Sequence, residues 1–273
     1  MSWLAENEPS WAGMDAHLRA GPVLVLAAHP DDETIGASWL LSHFCNSFVA
    51  FLTDGAPRDT NLWSGGVHGS RREYAATRRK EAIQALSIPG IGERNIFWLD
   101  AVDQEAAFSI SHLTEDFAAL LRKIRPVAVV THSYEGGHPD HDTAALVARA
   151  AISRLNGESQ PLLLEMTSYH AQNGACITGE FLPGSEPEFL FELTGEDRER
   201  KRRMMSAYQS QRVVLGNFSA DLERLRCAPA YDFSQPPHPG RLWYECMGWP
   251  MTGARWRELA TSEIPELQGN SCH

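Results

Sequence analysis

The sequence predicts an α/β protein built on a doubly wound, mostly parallel β-sheet. Short apolar runs rich in β-branched residues recur along the first half of the chain, and each is followed by a segment with helical periodicity. Buried strands that alternate with crossover helices are typical of a parallel sheet with helices on both faces.

The elements of the first half alternate regularly. Strands are predicted at 23–28, 48–53, 96–99 and 127–131, and helices at 33–44, 71–86, 113–124 and 140–155. The connection 55–69 is long for a loop between a strand and a helix, so it is either a functional lid or a plain surface loop.

The second half of the chain has a different rhythm. Strands are predicted at 162–169 and 189–193, and a helix at 196–210. Residues 227–250 contain five prolines and one strand candidate at 242–246, which favours an ordered wrap over the body. We therefore expect one domain over 1–273, with a core at 21–155 that residues 156–273 complete.

Composition limits the partners and the location. The net charge of −11 offers no basic surface for nucleic acid or anionic membranes. The longest apolar run, 23–28, is far shorter than the roughly 18 residues of a membrane span, and residues 1–8 lack the features of a signal peptide. We expect a cytoplasmic protein with no integral membrane segment; no oligomeric state is favoured. The five scattered cysteines suggest neither disulfides nor a thiolate metal site.

Two similar motifs follow the first and fourth predicted strands. Residues 29–32 are His-Pro-Asp-Asp and residues 138–141 are His-Pro-Asp-His. In each motif a second possible metal ligand, Asp32 or His141, comes three residues after the first histidine. Proline suits the first turn of a helix, so each pair can point to one side of a helix N-terminus. Both motifs lie at the sheet edge where open α/β proteins build their sites.

The residue types favour a metal site. Imidazole and carboxylate groups are the ligands of catalytic zinc, which keeps one position for water. The alternative is that each motif only caps a helix, but two such motifs at equivalent strand ends favour the metal. Asp31 and Asp32 are adjacent, so their carboxylates should diverge unless the backbone turns unusually. This arrangement suits one ligand and one base, and the residues alone do not decide which is which.

The paired motifs resemble the PIG-L/LmbE-like family of zinc-dependent N-acetylglucosaminyl deacetylases, whose sheet is Rossmann-like. The resemblance runs from about residue 21 to residue 155. Three weaker similarities support it: Thr-Asp-Gly at 53–55, an R-x-x-E pattern at 78–81, and a segment at 201–211 similar to a family helix that ends in a Ser-Gln pair.

The resemblance implies roles for the motif residues. His29, Asp32 and His141 would hold one zinc ion per chain, or another divalent ion in the cell. Asp31 would be the general base, and His138 would assist the tetrahedral intermediate. A base beside the metal needs only to accept a proton from an already acidified water.

Other candidates are less sharply defined. Asp140 could orient His138 and raise its pKa, so that an imidazolium is available to the oxyanion or the departing amine, or it could cap the helix. The resemblance implies that Arg78 and Asp103 bind substrate; a surface salt bridge and a solvated loop carboxylate are the alternatives. Some relatives carry an aromatic close before the second motif, whereas glycines precede it here and Tyr134 lies further upstream.

Two further histidines, His132 and His170, follow strands and could approach the metal edge.

Three functions follow from these features. The first is a zinc hydrolase that removes the N-acetyl group from an N-acetylglucosaminyl-type sugar conjugate, and the second is a zinc amidase for a different acylated amine. The third is a non-catalytic Rossmann-like binding protein. It is disfavoured because residues 27–32 replace the glycine-rich phosphate loop with carboxylates that repel pyrophosphate.

Overall fold

The computed structural model describes residues 11–64, 67–155 and 159–263. In chain order the elements are α1 (Trp11–Arg19), β1 (Val23–Ala27), α2 (Asp32–His43), β2 (Ser47–Thr53), α3 (Arg71–Ser87), β3 (Ile96–Ala101), α4 (Ile110–Ile124), β4 (Ala128–His132), α5 (Pro139–Ser153), β5 (Leu162–Met166), β6 (Tyr169–Gln172), β7 (Ala175–Thr178), β8 (Glu188–Glu192), α6 (Gly195–Ala207), α7 (Arg212–Leu215), β9 (Leu222–Cys227), α8 (Trp243–Cys246) and α9 (Gly253–Glu263).

A seven-stranded sheet forms the centre of the fold, in the order β3-β2-β1-β4-β5-β9-β8. The first five strands of this order are parallel, and β9 and β8 extend the sheet in antiparallel pairings. The predicted fold class is confirmed. The strand order reverses between β1 and β4, which is the position where open α/β sheets leave a crevice for ligands.

Both faces of the sheet are covered, which explains the continuous apolar run of the first strand. Leu24 and Leu26 pack into the core shared with α4, α5 and α9, while Val23 and Val25 pack into the core shared with α2, α3 and α6. Side chains alternate between the two faces of a strand, so a strand buried on both faces needs apolar residues at every position.

The second half departs from the predicted elements. The segment predicted as one strand at 162–169 is two strands, because β6 leaves the main sheet and pairs with β7. The strand predicted at 242–246 is wrong. Trp243–Cys246 is a short helix, in which the Cys246 N–H donates to the Leu242 carbonyl at 3.0 Å.

Strand β9 was not predicted because its charged residues resemble a surface segment. Its Glu223 and Arg226 are buried in ion pairs, with Lys201 at 2.9 Å and Glu165 at 2.9 Å. Among the described residues, no helix has both the length and the apolar character required to cross a membrane.

Candidate metal centre

The two His-Pro-Asp motifs meet at the ends of the neighbouring strands β1 and β4. The ring centroids of His29 and His138 lie 4.4 Å apart, and those of His29 and His141 lie 5.3 Å apart. The motifs are 109 positions apart in the sequence, and it is the reversal of strand order that places them side by side.

Asp32 bridges the two motifs. Its carboxylate lies 3.2 Å from His29 Nδ1 and 3.3 Å from His141 Nε2, so the three predicted metal ligands are in contact. His132 Nε2 is 3.4 Å from the same carboxylate. Burial alone would raise the pKa of Asp32, but His141 and His132 hold it well below its usual value. Asp32 is therefore an anionic donor within a ring of imidazoles.

Among the residues that the structure describes, three overlapping groups of buried side chains could hold a metal ion, and within each group the ligand atoms lie within 4.8 Å of one another. They are His29, His138 and His141; His29, Asp103, His138 and Asp140; and Asp32, His132 and His141. Each of the three predicted ligands belongs to at least one group, but none of these groups contains all three, and the ligand set stays a prediction. Nitrogen and oxygen donors without thiolates suit zinc and other divalent ions, so the residues fit a resident metal.

Carboxylates on the far side of His29 complete this cluster. Asp103 Oδ1 and Asp140 Oδ2 lie 3.3 and 3.2 Å from His29 Nε2. Burial would lower the pKa of His29, but these carboxylates and Asp32 raise it well above the usual value. A ligating imidazole must be deprotonated, so metal binding should release a proton here. Asp103 is buried in the cluster and is not a solvated loop carboxylate.

Asp31 has partners other than the histidines. Its backbone has φ 135°, a conformation that L-residues rarely adopt, and its N–H donates to Glu33 Oε2 at 2.9 Å. Its carboxylate lies 3.2 Å from Arg78 Nη2. Burial raises the pKa of Asp31 to about 8, against the opposing effect of Arg78. The unusual turn thus gives the two adjacent carboxylates different partners and opposite pKa shifts.

Arg78 is buried beneath this turn. Its guanidinium donates to the Gly55 carbonyl at 3.1 Å and to the Pro30 carbonyl, besides its contact with Asp31. These contacts exclude a surface salt bridge, and substrate binding by Arg78 stays a prediction. Glu81, three residues on, accepts hydrogen bonds from the N–H and hydroxyl of Ser210 at 2.8 and 2.6 Å. Two of the weaker family similarities, at 78–81 and 201–211, are therefore in contact.

Asp140 contacts His29 more closely than His138. Its carboxylate is 3.9 Å from His138 Nδ1 and accepts the backbone N–H groups of Gln104 and Ala106 at 2.7 and 3.1 Å. Its own N–H donates to His138 Nδ1 at 3.1 Å, so a neutral His138 carries its proton on Nε2. Burial, His29 and His141 lower the pKa of His138 well below its usual value, which favours the neutral ring.

Three residues at the site were not predicted from the sequence. Gln104, on a backbone with φ 73°, has its side-chain nitrogen 2.7 Å from His138 Nε2. Two donors cannot share a hydrogen bond, so a proton on His138 Nε2 requires the Gln104 amide to turn its oxygen towards the ring. The Trp249 ring stands edge-on to His138 at 4.8 Å, and the Tyr169 ring stands edge-on to His141 at 5.2 Å. Gln104 follows Asp103 directly, which was a usable signal, but no local pattern marks the two aromatics.

Tyr134 and His170 have partners away from the cluster. The Tyr134 hydroxyl donates to the Gln235 carbonyl at 2.8 Å, and its ring packs on Trp256 in the core. His170 Nδ1 lies 3.6 Å from Glu135. The loop 55–69 extends beyond the described residues at 65 and 66, and a lid there stays a prediction.

The comparisons with known proteins agree with this geometry. Residues 24–152 match the family model described as PIG-L: GlcNAc-PI de-N-acetylase. This segment contains β1, β4 and both motifs.

Several curated relatives share the name 1D-myo-inositol 2-acetamido-2-deoxy-alpha-D-glucopyranoside deacetylase. That of Rhodococcus jostii is 26% identical over 240 residues, which cover 70% of this chain and 82% of the relative. That of Thermobifida fusca is 25% identical over 170 residues, 51% of this chain and 57% of the relative. The chain thus spans little more than half the length of some of the curated relatives it matches.

Solved structures share the fold. Teicoplanin deacetylase Orf2 aligns with a TM-score of 0.57 and 16% identity, over 75% of this chain and 97% of that one. N,N'-diacetylchitobiose deacetylase from Pyrococcus horikoshii aligns with a TM-score of 0.55 and 19% identity, over 78% and 84%. At these identities the likeness supports the architecture.

Proposed function

Because this chain belongs to the PIG-L/LmbE-like family, we propose that it is a zinc-dependent hydrolase that removes the N-acetyl group from an N-acetylglucosaminyl-type sugar conjugate. The observation that carries the proposal is the buried cluster in which Asp32 contacts His29 of its own motif and His141 of the other. Paired contacts between residues so distant in sequence indicate a built site, since helix caps alone would not require them.

His29, Asp32 and His141 would hold the ion. When bound there, a divalent ion lowers the pKa of a water molecule and polarises the acyl carbonyl. The alternative of a different native ion is compatible with the same donors.

Asp31 would move the proton. Held by Arg78 beside the cluster, its carboxylate accepts a proton from the attacking water and returns it to the departing amine. In the metal-free chain, burial raises the pKa of this carboxyl to about 8, which makes it a stronger proton acceptor than an ordinary aspartate once it is ionised.

His138 would contact the acyl oxygen. With its proton on Nε2, the neutral ring is a hydrogen-bond donor without having to become an imidazolium. Asp140 contributes by fixing this tautomer through its backbone N–H, and by holding His29 through its carboxylate.

The sugar part of the proposal comes from the names of the relatives. A second candidate is a zinc amidase for a different acylated amine. It is favoured by Tyr169 and Trp249, which flank the cluster from outside the segment that matches the family.

Metal content and acetate release test the proposal together. We expect about one zinc per chain in protein purified without chelators, and acetate release from N-acetylglucosaminyl compounds that chelation abolishes and zinc restores. Activity confined to other acylated amines would select the second candidate. A metal-free protein that stays inactive after zinc addition would overturn both.

A further inference from the structure

We propose that Tyr169 is a substrate-contacting residue, whose hydroxyl donates a hydrogen bond to an oxygen of the acylated amine. The inference rests on the proposed function and adds a residue from outside the family-matched segment 24–152. Three observations carry it: the seating of β6 on the second motif, the position of the ring, and a hydroxyl without a protein partner.

The glycine at position 137 seats β6 directly against the second motif. A Cβ added at Gly137 would lie 1.9 Å from the Tyr169 carbonyl oxygen and 3.2 Å from its ring. No side chain fits this gap, so glycine is required for the close approach of the two backbones. The second motif and Tyr169 are therefore held in fixed register.

This close approach of the two backbones places the ring of Tyr169 next to the cluster. It stands edge-on to His141 at 5.2 Å and packs on its other side near Phe218, with centroids 6.1 Å apart. The side chain is only half-buried, although its neighbours Ser168 and His170 are buried. A ring fixed between two aromatic neighbours orients its hydroxyl at little further cost in entropy.

The hydroxyl makes no hydrogen bond to any residue that the structure describes, unlike the hydroxyls of three other tyrosines. Those of Tyr134, Tyr208 and Tyr231 donate to Gln235, Glu33 and Glu165 at 2.6–2.9 Å. A free donor beside a hydrolytic cluster is suited to bind an oxygen of the substrate.

Tyr169→Phe is the direct test, because it removes the hydroxyl and keeps the ring. We expect kcat/KM for the best acylated amine to fall about tenfold or more, the scale of one lost hydrogen bond to a substrate. Zinc content and the thermal unfolding temperature should stay at wild-type values. The matched control is Tyr134→Phe, whose hydroxyl is used in the core; its kcat/KM should be unchanged, even if its unfolding temperature drops.

A binding measurement separates substrate contact from a structural role. In the Asp31→Asn background, which should bind without turnover, adding Tyr169→Phe should raise the Kd for the same compound about tenfold or more. Unchanged kcat/KM and Kd in the Tyr169→Phe proteins would overturn this inference alone. Absence of hydrolysis by wild-type protein on the whole panel of acylated amines would overturn the proposed function, and this inference with it.

Discussion

The two His-Pro-Asp motifs are nearly identical in sequence but differ in backbone. In the second motif, His138 is the N-cap of α5 and Pro139 opens its first turn, as proline usually does. In the first motif the helix begins two positions later, at Asp32, and Asp31 is the N-cap with φ 135°. The expectation that proline opens the helix is correct for residues 138–141 and wrong for residues 29–32.

This difference gives the third residue of each motif a separate task. Asp31 pairs with Arg78, whereas Asp140 lies within the helix and contacts His29 and the loop after β3. In the proposed mechanism, the strain at Asp31 is the local cost of placing the proposed base directly before the proposed ligand Asp32. Equal sequence therefore does not imply equal roles, and substitutions can separate the two.

The largest effect should come from the two histidines proposed as metal ligands. His29→Ala and His141→Ala are each expected to lose most of the bound zinc and nearly all hydrolysis, because each removes one of the three proposed ligands. Elemental analysis and acetate release measure both. His112→Ala, at an exposed surface histidine, is the control and should keep metal and rate. Full zinc occupancy in both ligand variants would show that the ligand set is wrong.

Asp31→Asn should distinguish the loss of a proton acceptor from the loss of a metal ligand. The amide cannot accept a proton, so we expect kcat to fall roughly 10²- to 10⁴-fold with zinc retained. Elemental analysis and kinetics are again the measurements. Near-wild-type turnover in the zinc-loaded variant would place the base elsewhere, with Asp54 as the next candidate.

Asp140→Asn, at the equivalent position of the second motif, should behave differently. It weakens the carboxylate contact to His29, so zinc affinity should fall about 10- to 100-fold, and saturating zinc should restore most of the rate. Competition with a chelator measures the affinity. If zinc affinity were unchanged and kcat alone fell, as in Asp31→Asn, the third residues of the two motifs would not differ in role.

The sequence predicted the parts of this comparison that depend on local pattern. The strands β1 to β4 lie close to the predicted spans because they are apolar on both faces, and the motifs meet because parallel strands share one edge. The turn at Asp31 could not be predicted, since the long-range contact with buried Arg78 helps to hold it, together with the local bond to Glu33. The helix at Trp243–Cys246 was missed because its aromatic residues are also typical of strands.

The contributions of Tyr169 and Trp249 were also beyond local pattern. Each lies in or near a segment that makes a long-range contact with one of the two glycines that precede the second motif. Gly137 faces the Tyr169 backbone, and the Gly136 carbonyl accepts the Trp243 N–H at 2.8 Å in the segment that leads to Trp249. Glycine signals close approach, but it does not indicate which segment approaches.

The smallest effect concerns the residue that directly follows each motif. These two residues, Glu33 and Asp142, have similar surroundings. Each is a fully buried carboxyl that accepts backbone N–H groups and fixes its loop: Glu33 accepts from Asp31, and Asp142 accepts from Gly136 at 3.0 Å. Burial raises the pKa of Asp142 from its usual range to about 8.

The raised pKa of Asp142 makes stability depend on pH in a defined direction. The folded protein binds a proton here that the unfolded chain releases near pH 4, so this contribution to stability is present at low pH and is lost as pH rises towards 8. Asp142→Asn cannot titrate, yet its amide oxygen can still accept the N–H groups of Glu135 and Gly136. Its unfolding free energy should therefore rise relative to wild type between pH 5 and 8, by up to about 1.4 kcal/mol per pH unit, and its unfolding temperature should rise with it. Thermal unfolding of metal-free protein across this range measures the difference, with Asp116→Asn on the exposed face of α4 as the control. A constant offset between Asp142→Asn and wild type at all pH values would mean that Asp142 is ionised in the folded protein and that its burial is compensated by a partner.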